Sequence, residues 1–449
     1  MRHGLMRPKV EMHESSAIGK LATLNPLQKT SPPNLGLTMN ANSANYKSAV
    51  KSKSGFTLVE LLVVITIIGI LVGIAVPTIQ AVMATTTTTS IKLENESISR
   101  AVEQYEQRYG DFPPDFSDWA VVQRHYRKLF PRMLATELGL LQRACDNNTA
   151  NDTDGSIVPG AHDATRMDRA EVLPWALQGY SDDVQRPFTG PGGPLVWVGN
   201  GTDSWDTPSG AMTNAQVIAE RQTLSNYQIN SDRVNSLHEF EPGRLSLSQV
   251  NSSAALTGAN RYTSTDDGDL FLTYSATENG GPFVYFDSRT YAHFNPANGD
   301  FNGYGSTSFG VVRPYLSTES VNNSSGSNYS SLQAAIAGWR FIKPDTFQLL
   351  APGPDGNYGN LASNEVDNNN TSVVAPAPNT IAEPAYFQYP SGTVVTPSTQ
   401  VNNPGQLVDL SVKGFAASQL TGASDNPQLD NITNFANAKL VDDVPSGGL

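Results

Sequence analysis

A single carboxylate, Glu60, stands at the head of a long uncharged run, and its chemistry is tightly constrained. No residue from Leu61 to Ile91 is charged, and the run is densely apolar as far as Val76. Burying an unpaired carboxylate in such surroundings within lipid costs ~2.5 kcal/mol or more. We therefore expect Glu60 to take part in an ion pair.

Side chains that could carry catalysis are scattered along the chain. Six histidines lie without metal-ligand spacing, and there is no His-Glu-x-x-His, no Gly-x-Ser-x-Gly and no Gly-x-x-x-x-Gly-Lys motif. Paired carboxylates such as Asp182-Asp183 and Asp266-Asp267 are typical of solvated turns. We therefore predict that the chain is not an enzyme.

A helix is the element that must position Glu60. About 20 apolar residues span a bilayer core, and a helix satisfies its own backbone hydrogen bonds in lipid. The first 55 residues carry eight Lys or Arg against two Glu, a net charge of +6, which the positive-inside rule keeps in the cytoplasm. The residues after Gly55 have a net charge of −19 and are placed outside the cytoplasm.

The segment Lys51-Ser-Lys-Ser-Gly55-Phe56-Thr-Leu-Val-Glu60 resembles the processing site of type IV prepilins and type II secretion pseudopilins. In that family a basic leader ends in Gly, a prepilin peptidase cuts after it, and the new first residue is N-methylated. The resemblance implies cleavage between Gly55 and Phe56, with Glu60 fifth and Pro77 twenty-second in the mature chain. The α-amine created at Phe56, in the same or a neighbouring subunit, is then the expected partner of Glu60.

Two other interpretations of the segment stay open. A Sec signal peptide also has a basic and then an apolar region, and Val82-Met83-Ala84 would serve as its cleavage site. A plain single-pass anchor needs only the apolar run. Neither explains a carboxylate at position 60.

The pattern predicts an α+β fold, in which a long N-terminal helix, membrane-spanning and then amphipathic, packs on a β-containing, pilin-like globular head. Ile91, Ile98, Val102, Tyr105 and Tyr109 recur at helical spacing before Gly110 and Pro113-Pro114. The predicted parts are a leader at 1–55 with a true start expected at Met39, a membrane and filament-core helix at 56–84, an amphipathic helix at 85–110, and a head at 111–449 with a long-loop or disordered insert at 365–406.

Local patterns predict several elements of the head. Trp119 to Met133 and Arg169 to Gln178 are expected to be helical, and Thr346 to Leu350 a strand. Asp269–Ser275 and Pro282–Asp287 flank Glu278-Asn-Gly-Gly281 as a β-hairpin. Five threonines, Thr85 to Thr89, and Pro77 are places where the long helix is expected to loosen or kink.

Composition limits the possible partners. The acidic body lacks a basic patch, which argues against nucleic acid as a ligand. A lone cysteine, Cys145, excludes an intrachain disulfide, although many type IV pilins close a C-terminal loop with one. We expect Cys145 to pack as a small buried hydrophobe, with an intermolecular bridge as the alternative.

Calcium is the cofactor that the resemblance suggests. In major pseudopilins a C-terminal loop after a strand binds this ion, and Gly353-Pro-Asp355-Gly-Asn357 resembles the start of that loop. Hard oxygen ligands on a tight turn suit calcium. The expected ligands are Asp355, Asn357 and Asp430, and an uncoordinated Asp-Gly turn is the alternative. Asn151-Asp-Thr-Asp-Gly155 fails the EF-hand pattern and is predicted to be a turn.

The sequence thus predicts a structural subunit of a type II secretion pseudopilus or a type IV pilus-like filament. Its expected partners are a prepilin peptidase, other pilin or pseudopilin subunits, and the inner membrane, with the head in the periplasm until the subunit joins a periplasmic or surface filament. The alternatives are an exported protein that uses the helix only as an anchor, and an exported enzyme or binding module on a pilin-like anchor.

Processing gives the first testable outcome. We expect the mature protein to begin at N-methyl-Phe56, because Gly55 closes a basic leader. Gly55→Val should leave the leader attached. Mass spectrometry of the mature N-terminus checks both, and a mature chain that begins at Thr85 would instead support the Sec interpretation.

Overall fold

The computed structural model describes residues 56–145, 167–198, 214–246, 270–295, 300–306, 309–319, 331–336, 338–359, 364–366, 372–374, 386–397, 405–409 and 428–445. The chain divides into two compact units, Met1–Ile68 and Gly69–Leu449. The described part of the first unit is the start of the longest helix. The second unit holds the remainder of that helix and the head.

Helices and strands are mixed along the described chain, which confirms the predicted combination of an apolar N-terminal helix and a sheet-containing head. The α-helices are α1 Leu58–Tyr109, α2 Trp119–Leu129, α3 Ala135–Ala144, α4 Val172–Leu177, α5 Asn214–Arg221 and α6 Leu332–Ile336. The strands are β1 Leu195–Trp197, β2 Tyr227–Ile229, β3 Leu245–Ser246, β4 Thr273–Tyr274, β5 Val284–Asp287, β6 Phe294–Asn295, β7 Asp300–Phe301, β8 Tyr304–Ser306, β9 Gly310–Val312, β10 Leu316–Ser317, β11 Phe347–Ala351, β12 Asn364–Val366, β13 Ser372–Val374, β14 Tyr386–Tyr389, β15 Val394–Pro397, β16 Leu407–Asp409 and β17 Ile432–Thr433.

The threonine run remains inside α1, whose assignment is continuous through these residues and through Pro77. The hydroxyls of Thr86 to Thr89 each donate a hydrogen bond to the carbonyl four residues earlier, at 2.9–3.0 Å. Threonine commonly bonds back to its own helix in this way. The expected loosening at Thr85 to Thr89 is therefore not seen. The helix ends at Gly110, whose φ of 75° suits glycine.

Packing of the second half of α1 confirms the predicted amphipathic stripe. Ile91, Ile98, Val102 and Tyr105 are buried in the head. Polar side chains add specific anchors to this face. Lys92 Nζ donates to the carbonyls of Thr433 and Ala436, at 2.8 and 2.6 Å, and Asn95 Nδ2 donates to the carbonyl of Leu349 at 3.3 Å.

A second polar anchor joins α1 to the turn before β3. Arg244 binds the Glu94 carboxylate with two nitrogens, at 3.0 and 2.6 Å. The same guanidinium donates to the carbonyls of Ser275 and Ala276, and the Tyr274 hydroxyl donates to Glu94. A bidentate pair of this kind fixes geometry as well as charge. The α1 helix is thus held in one register on the head.

The three-stranded antiparallel sheet β17-β11-β5 lies at the centre of the head. Each residue of β5 and β11 is buried. Alternate side chains of a strand point to opposite faces, so this sheet is covered on both. Tyr285 and Leu349 belong to the core that contains the α1 stripe, whereas Phe286 and Leu350 belong to a second core.

The second core includes a four-stranded sheet with the order β10-β14-β15-β16. Strands β10 and β14 are parallel, and the other pairs are antiparallel. The prediction of a long loop or disordered insert at 365–406 is therefore wrong for residues 386–397. Tyr386, Phe387, Val394 and Val395 are buried there, and their burial outweighs the Asn- and Pro-rich composition of the surrounding chain.

The local predictions have mixed outcomes. The helix from Trp119 and the strand near Thr346–Leu350 are present as α2 and β11. The helix predicted at Arg169–Gln178 is shorter, as α4, and α3 was not predicted. At the predicted hairpin, Ser275 and Pro282 form a bridge, and the Ala276 and Phe283 N–H groups donate to the carbonyls of Gly281 and Tyr274. The strands β4 and β5 also pair with β3 and β11. Residues 151–155 lie outside the described residues.

Burial of β11 on both faces predicts the cost of truncating it. Leu349→Ala and Leu350→Ala should each lower the free energy of unfolding by ~2–5 kcal/mol, since each opens a cavity in a different core. Leu93→Ala on α1 is the control, because Leu93 is 59% exposed. Urea unfolding of the full chain in detergent micelles measures all three. A negligible loss at either strand position would contradict the two-core arrangement.

Candidate functional site

The N-terminus of α1 holds Glu60 through a reciprocal pair of hydrogen bonds. Thr57 precedes the helix, and its backbone N–H and its hydroxyl both donate to Glu60 Oε2, at 2.9 and 2.8 Å. The Glu60 N–H in turn faces Thr57 Oγ1 at 3.2 Å. This is a capping box, in which the first and fourth residues satisfy each other's free backbone groups. The Thr-x-x-Glu spacing is its sequence signature, and this role of Thr57 is not among the expectations from the sequence.

Apolar side chains after the capping box are fully exposed. Leu58–Val76 has 19 residues and a mean hydropathy of 2.9, with none of the segment buried. At 1.5 Å per residue it is about 28 Å long, close to the hydrocarbon thickness of a bilayer. Phe56 is 79% exposed. By length and composition, this segment is long and apolar enough to cross a membrane.

Comparison with known protein families identifies this segment. A model of the prokaryotic N-terminal methylation motif matches residues 50–76. The chain carries a prepilin-type methylation motif. The motif spans Gly55, Phe56 and Glu60, which confirms the resemblance to the prepilin-type family. Searches of curated proteins and of solved structures each found no match.

The methylation motif covers 27 of the 449 residues, so it identifies the N-terminal segment of the chain and gives no information about the head. It ends at Val76, one residue before Pro77. Gly55 lies outside the described residues, whereas Pro77 lies within α1. The motif supports a prepilin-type precursor that is anchored in a membrane.

The expected calcium ligands lie in two turns of the head. Asp355 follows β11 in a tight turn, where its Oδ1 accepts the Asn357 N–H at 2.8 Å and Gly356 has a φ of 77°. Asp430 lies in the 3-10 turn Gln428–Asp430. A Cβ on Gly353 would lie 2.2 Å from Asp430 Oδ2, so glycine is required for the two turns to meet. The fold thus brings Asp355 and Asp430 together across some seventy residues of sequence.

Electrostatics at this junction are unfavourable for two bare carboxylates. Burial, together with the nearby charge of Asp355, raises the pKa of Asp430 to about 6. Burial also raises the pKa of Asp355. Lys439 acts in the opposite direction on both groups, but as a smaller effect. Like charges that share a site favour either a retained proton or a bound cation.

Asn431 adds a further oxygen next to this pair in the sequence. Its side chain is fully buried and its Nδ2 donates to the carbonyl of Tyr358 at 3.2 Å. Its Oδ1 has no hydrogen-bond partner among the described residues. Asn357 Nδ2, in contrast, donates to the carbonyl of Asp355 and closes its own turn. Two carboxylates and an unsatisfied amide oxygen fit the hard-oxygen preference of calcium. Asn431 is therefore a further candidate ligand beside the predicted Asn357.

The other titratable side chains singled out in the sequence lie in turns or in the core. No group of three His, Cys, Asp or Glu that could hold a metal occurs within the described ranges. Asp183 Oδ1 accepts the backbone N–H of Gln185, and Asp182 Oδ1 accepts from Asn235 Nδ2, as expected of residues in turns. Cys145 is buried, with its Sγ 3.2 Å from the carbonyl of Phe116.

Removal of calcium supplies a test of the two-turn junction. If calcium binds there, chelation should lower the melting temperature of the full chain in detergent, because a ligand bound only to the native state stabilises it. Asp355→Asn should abolish this sensitivity while it keeps an acceptor for the Asn357 N–H. The exposed Asp345→Asn is the control.

The pH response has a defined sign. Calcium requires ionised Asp430, so its stabilising effect should fade as the pH drops through about 6. Without calcium, the raised pKa makes the folded state bind the proton more tightly, so stability should increase as the pH falls from about 6 towards 4. A melting temperature unchanged by chelator at pH 7.5 would reject the site.

Proposed function

We propose that the chain is a structural subunit of a type II secretion pseudopilus or a type IV pilus-like filament. The observation that carries the proposal is a methylation motif on a fully exposed apolar helix. A prepilin peptidase removes the basic leader after Gly55, and Phe56 becomes the methylated N-terminus. Before assembly the subunit resides in the inner membrane with its head in the periplasm. After assembly it is part of a periplasmic or surface filament.

Exposure of the apolar segment favours both membrane insertion of the free subunit and its assembly into a filament. Leu58–Val76 must be covered by something other than water, because burial of apolar side chains is worth ~25 cal/mol per Å². Lipid covers it in the free subunit. In the filament, the same segments of neighbouring subunits cover one another.

Glu60 has different partners in these two states. In the free subunit its carboxylate is satisfied by the N–H and hydroxyl of Thr57. Cleavage then creates a positive amine at Phe56, at the edge of the apolar helix. In a filament core, where water and headgroups are absent, pairing between this amine and the Glu60 of a neighbour offsets the desolvation cost of both charges.

Attachment of the head to α1 completes the mechanism. The stripe from Ile91 to Tyr105 and the Glu94–Arg244 pair fix the head on the second half of the helix. A subunit added to a filament therefore carries its head in a defined orientation on that part of α1. Calcium bound by Asp355, Asp430 and Asn431 would hold together two turns of a head whose lone cysteine excludes an intrachain disulfide.

Substitution of Glu60 tests the proposal. Glu60→Ala and Glu60→Gln should leave membrane insertion and cleavage after Gly55 intact. Both should lower incorporation into sheared filaments by about tenfold or more. Removal of the Glu60 charge leaves the Phe56 amine buried without its partner, and the loss of one partner of a buried ion pair costs ~3–5 kcal/mol. Immunoblots of sheared filaments and of membranes measure the two pools.

Glutamine separates charge from capping, since its side-chain oxygen can still accept from Thr57. Glu96→Ala, an exposed carboxylate further along α1, is the matched control and should assemble normally. Wild-type filament yield from correctly processed Glu60→Gln protein would contradict the proposed pairing. Absence of the wild-type chain from any sheared filament would favour an exported protein that uses the helix only as an anchor.

A further inference from the structure

A buried polar network lies where the last turns of α1 meet the head. Its side chains come from α1, α2, α4 and the segment after α4, and each of them is at most 3% exposed. The members are Tyr105, His125, Tyr126, Trp175 and Tyr180. Neither the proposed assembly mechanism nor the two-turn calcium junction uses them.

Hydrogen bonds connect these side chains in an unbranched series. Trp175 Nε1 donates to the Tyr126 hydroxyl at 2.9 Å, and the Tyr126 and Tyr180 hydroxyls are 3.1 Å apart. The Tyr180 and Tyr105 hydroxyls are 3.4 Å apart, and the Tyr105 hydroxyl lies 2.9 Å from His125 Nε2. The series therefore runs from an indole N–H to an imidazole nitrogen.

The indole at one end sets the direction of the whole series. An indole N–H donates and never accepts, whereas a tyrosine hydroxyl has one hydrogen to donate and can also accept. With Trp175 donating to Tyr126, each hydroxyl can pass its own hydrogen along the series, and Tyr105 donates to His125 Nε2. The indole hydrogen and the three hydroxyl hydrogens then each have an acceptor, and the remaining imidazole nitrogen, Nδ1, faces Asp111 Oδ2 at 3.7 Å. His125 is consequently neutral, with its hydrogen on Nδ1.

Protonation of His125 breaks this arrangement. An imidazolium donates from both nitrogens, so Nε2 can no longer accept from Tyr105. The hydroxyls of Tyr105 and Tyr180 would then have to donate in the opposite direction, towards Tyr126. The Tyr126 hydroxyl would accept from both Trp175 and Tyr180, and its own hydrogen would have no acceptor. A buried donor without an acceptor is strongly unfavourable. The network therefore has no position for one additional proton.

The charged groups around His125 are also engaged with other partners. Nδ1 lies 3.7 Å from Asp111 Oδ2, which is longer than a hydrogen bond. Asp111 is already bound by Arg289 at 2.7 Å, and Arg289 also pairs with Asp287. Lys128, on the same helix as His125, donates to the carbonyl of Gly110 at 2.7 Å. Asp115 is occupied by Ser117, Thr290 and Asn302.

These groups act on His125 in opposite directions. Burial lowers the pKa of His125; Asp111 works against this shift, whereas the positive charges of Arg289 and Lys128 add to it. The pKa of the imidazole therefore moves in the direction that the hydrogen-bond count requires.

We propose that His125 is an acid-sensitive latch, which holds the last turns of α1 on the head while it is neutral and releases them when it is protonated. The trigger is the hydrogen-bond direction imposed by Trp175. The responding element is the end of α1, from Tyr105 to Gly110, together with the start of α2.

The sign of the pH effect follows from linkage. An unfolded histidine has a pKa of about 6.5. Above that value neither state binds the proton, and the latch contributes its full stability. As the pH falls below about 6.5, the unfolded or released state binds the proton more readily than the latched state, so stability is lost.

The test compares variants of the full chain in detergent micelles between pH 7.5 and 5.0 at constant ionic strength. His125→Gln keeps one acceptor and one donor but cannot titrate. His238→Gln and His293→Gln change the other two described histidines, and His293 Nδ1 likewise faces a carboxylate, that of Asp118 at 3.5 Å. Melting temperature and backbone hydrogen exchange of peptides within 100–130 are recorded, with exchange corrected for its intrinsic pH dependence.

Relative to His125→Gln, the wild type should lose melting temperature on acidification, and exchange near Tyr105–Gly110 should accelerate by about tenfold or more once an orphaned donor is created. His125→Gln should lose that part of the response, while both control variants keep it. The contributions of the remaining carboxylates cancel in the comparison. An acid response in His125→Gln equal to that of the wild type would overturn the proposal.

A second measurement needs no variant. Deuterium exchange at the imidazole C2 position, read by mass spectrometry, reports the pKa of each histidine in the wild-type chain. His125 should titrate at lower pH than the histidines of the unfolded protein. A value for His125 at or above that of the unfolded chain would reject the latch, even if His125→Gln failed to fold.

Discussion

The head depends on one strand, β11, having no face open to water. Leu349 packs into the core that receives α1, and Leu350 packs into the core that contains β14 and β15. A strand buried on both faces requires covering elements on each side. The amphipathic half of α1 supplies one cover, and chain segments far apart in sequence supply the other. The long helix and the late sheet are therefore parts of one structure, although they share no local sequence pattern.

Sequence periodicity predicted the helices and strands whose formation depends on residues close together in the chain. Local signals, namely the spacing of apolar residues and the Gly and Pro residues that end elements, were enough for three features. These are the stripe from Ile91 to Tyr105, the end of α1 at Gly110 and the strand at Thr346–Leu350. The pairing of β14 with β10 was not recognisable from such signals, since it joins residues 316–317 to 388–389 and depends on long-range burial. Composition was misleading there, because the aromatic and β-branched residues of two short strands lie within a stretch rich in Asn and Pro.

The candidate sites show the same division. Gly55, Phe56 and Glu60 were recognisable because the methylation motif is a contiguous segment. The capping role of Thr57 was present in the Thr-x-x-Glu spacing and was overlooked. In contrast, the contact between Gly353 and Asp430 and the orphaned oxygen of Asn431 depend on how two turns meet. The direction of hydrogen bonding at His125 follows from a tryptophan fifty residues away, which no local motif records.

The threonines of α1 have a consequence for where the subunit sits in lipid. Because the hydroxyls of Thr86 to Thr89 are bonded to their own helix, their hydrogens need no acceptor from the surroundings. These residues therefore present neither a charge nor an unpaired hydroxyl hydrogen, unlike the charged Lys92 after them. The boundary between membrane and solvent is therefore spread over more than a helical turn. The helix can shift along its axis by about 1.5 Å per residue without exposing a new apolar surface or burying a charge. In the proposed function, a subunit that leaves the bilayer for a filament would thereby meet a gradual boundary in place of a sharp one.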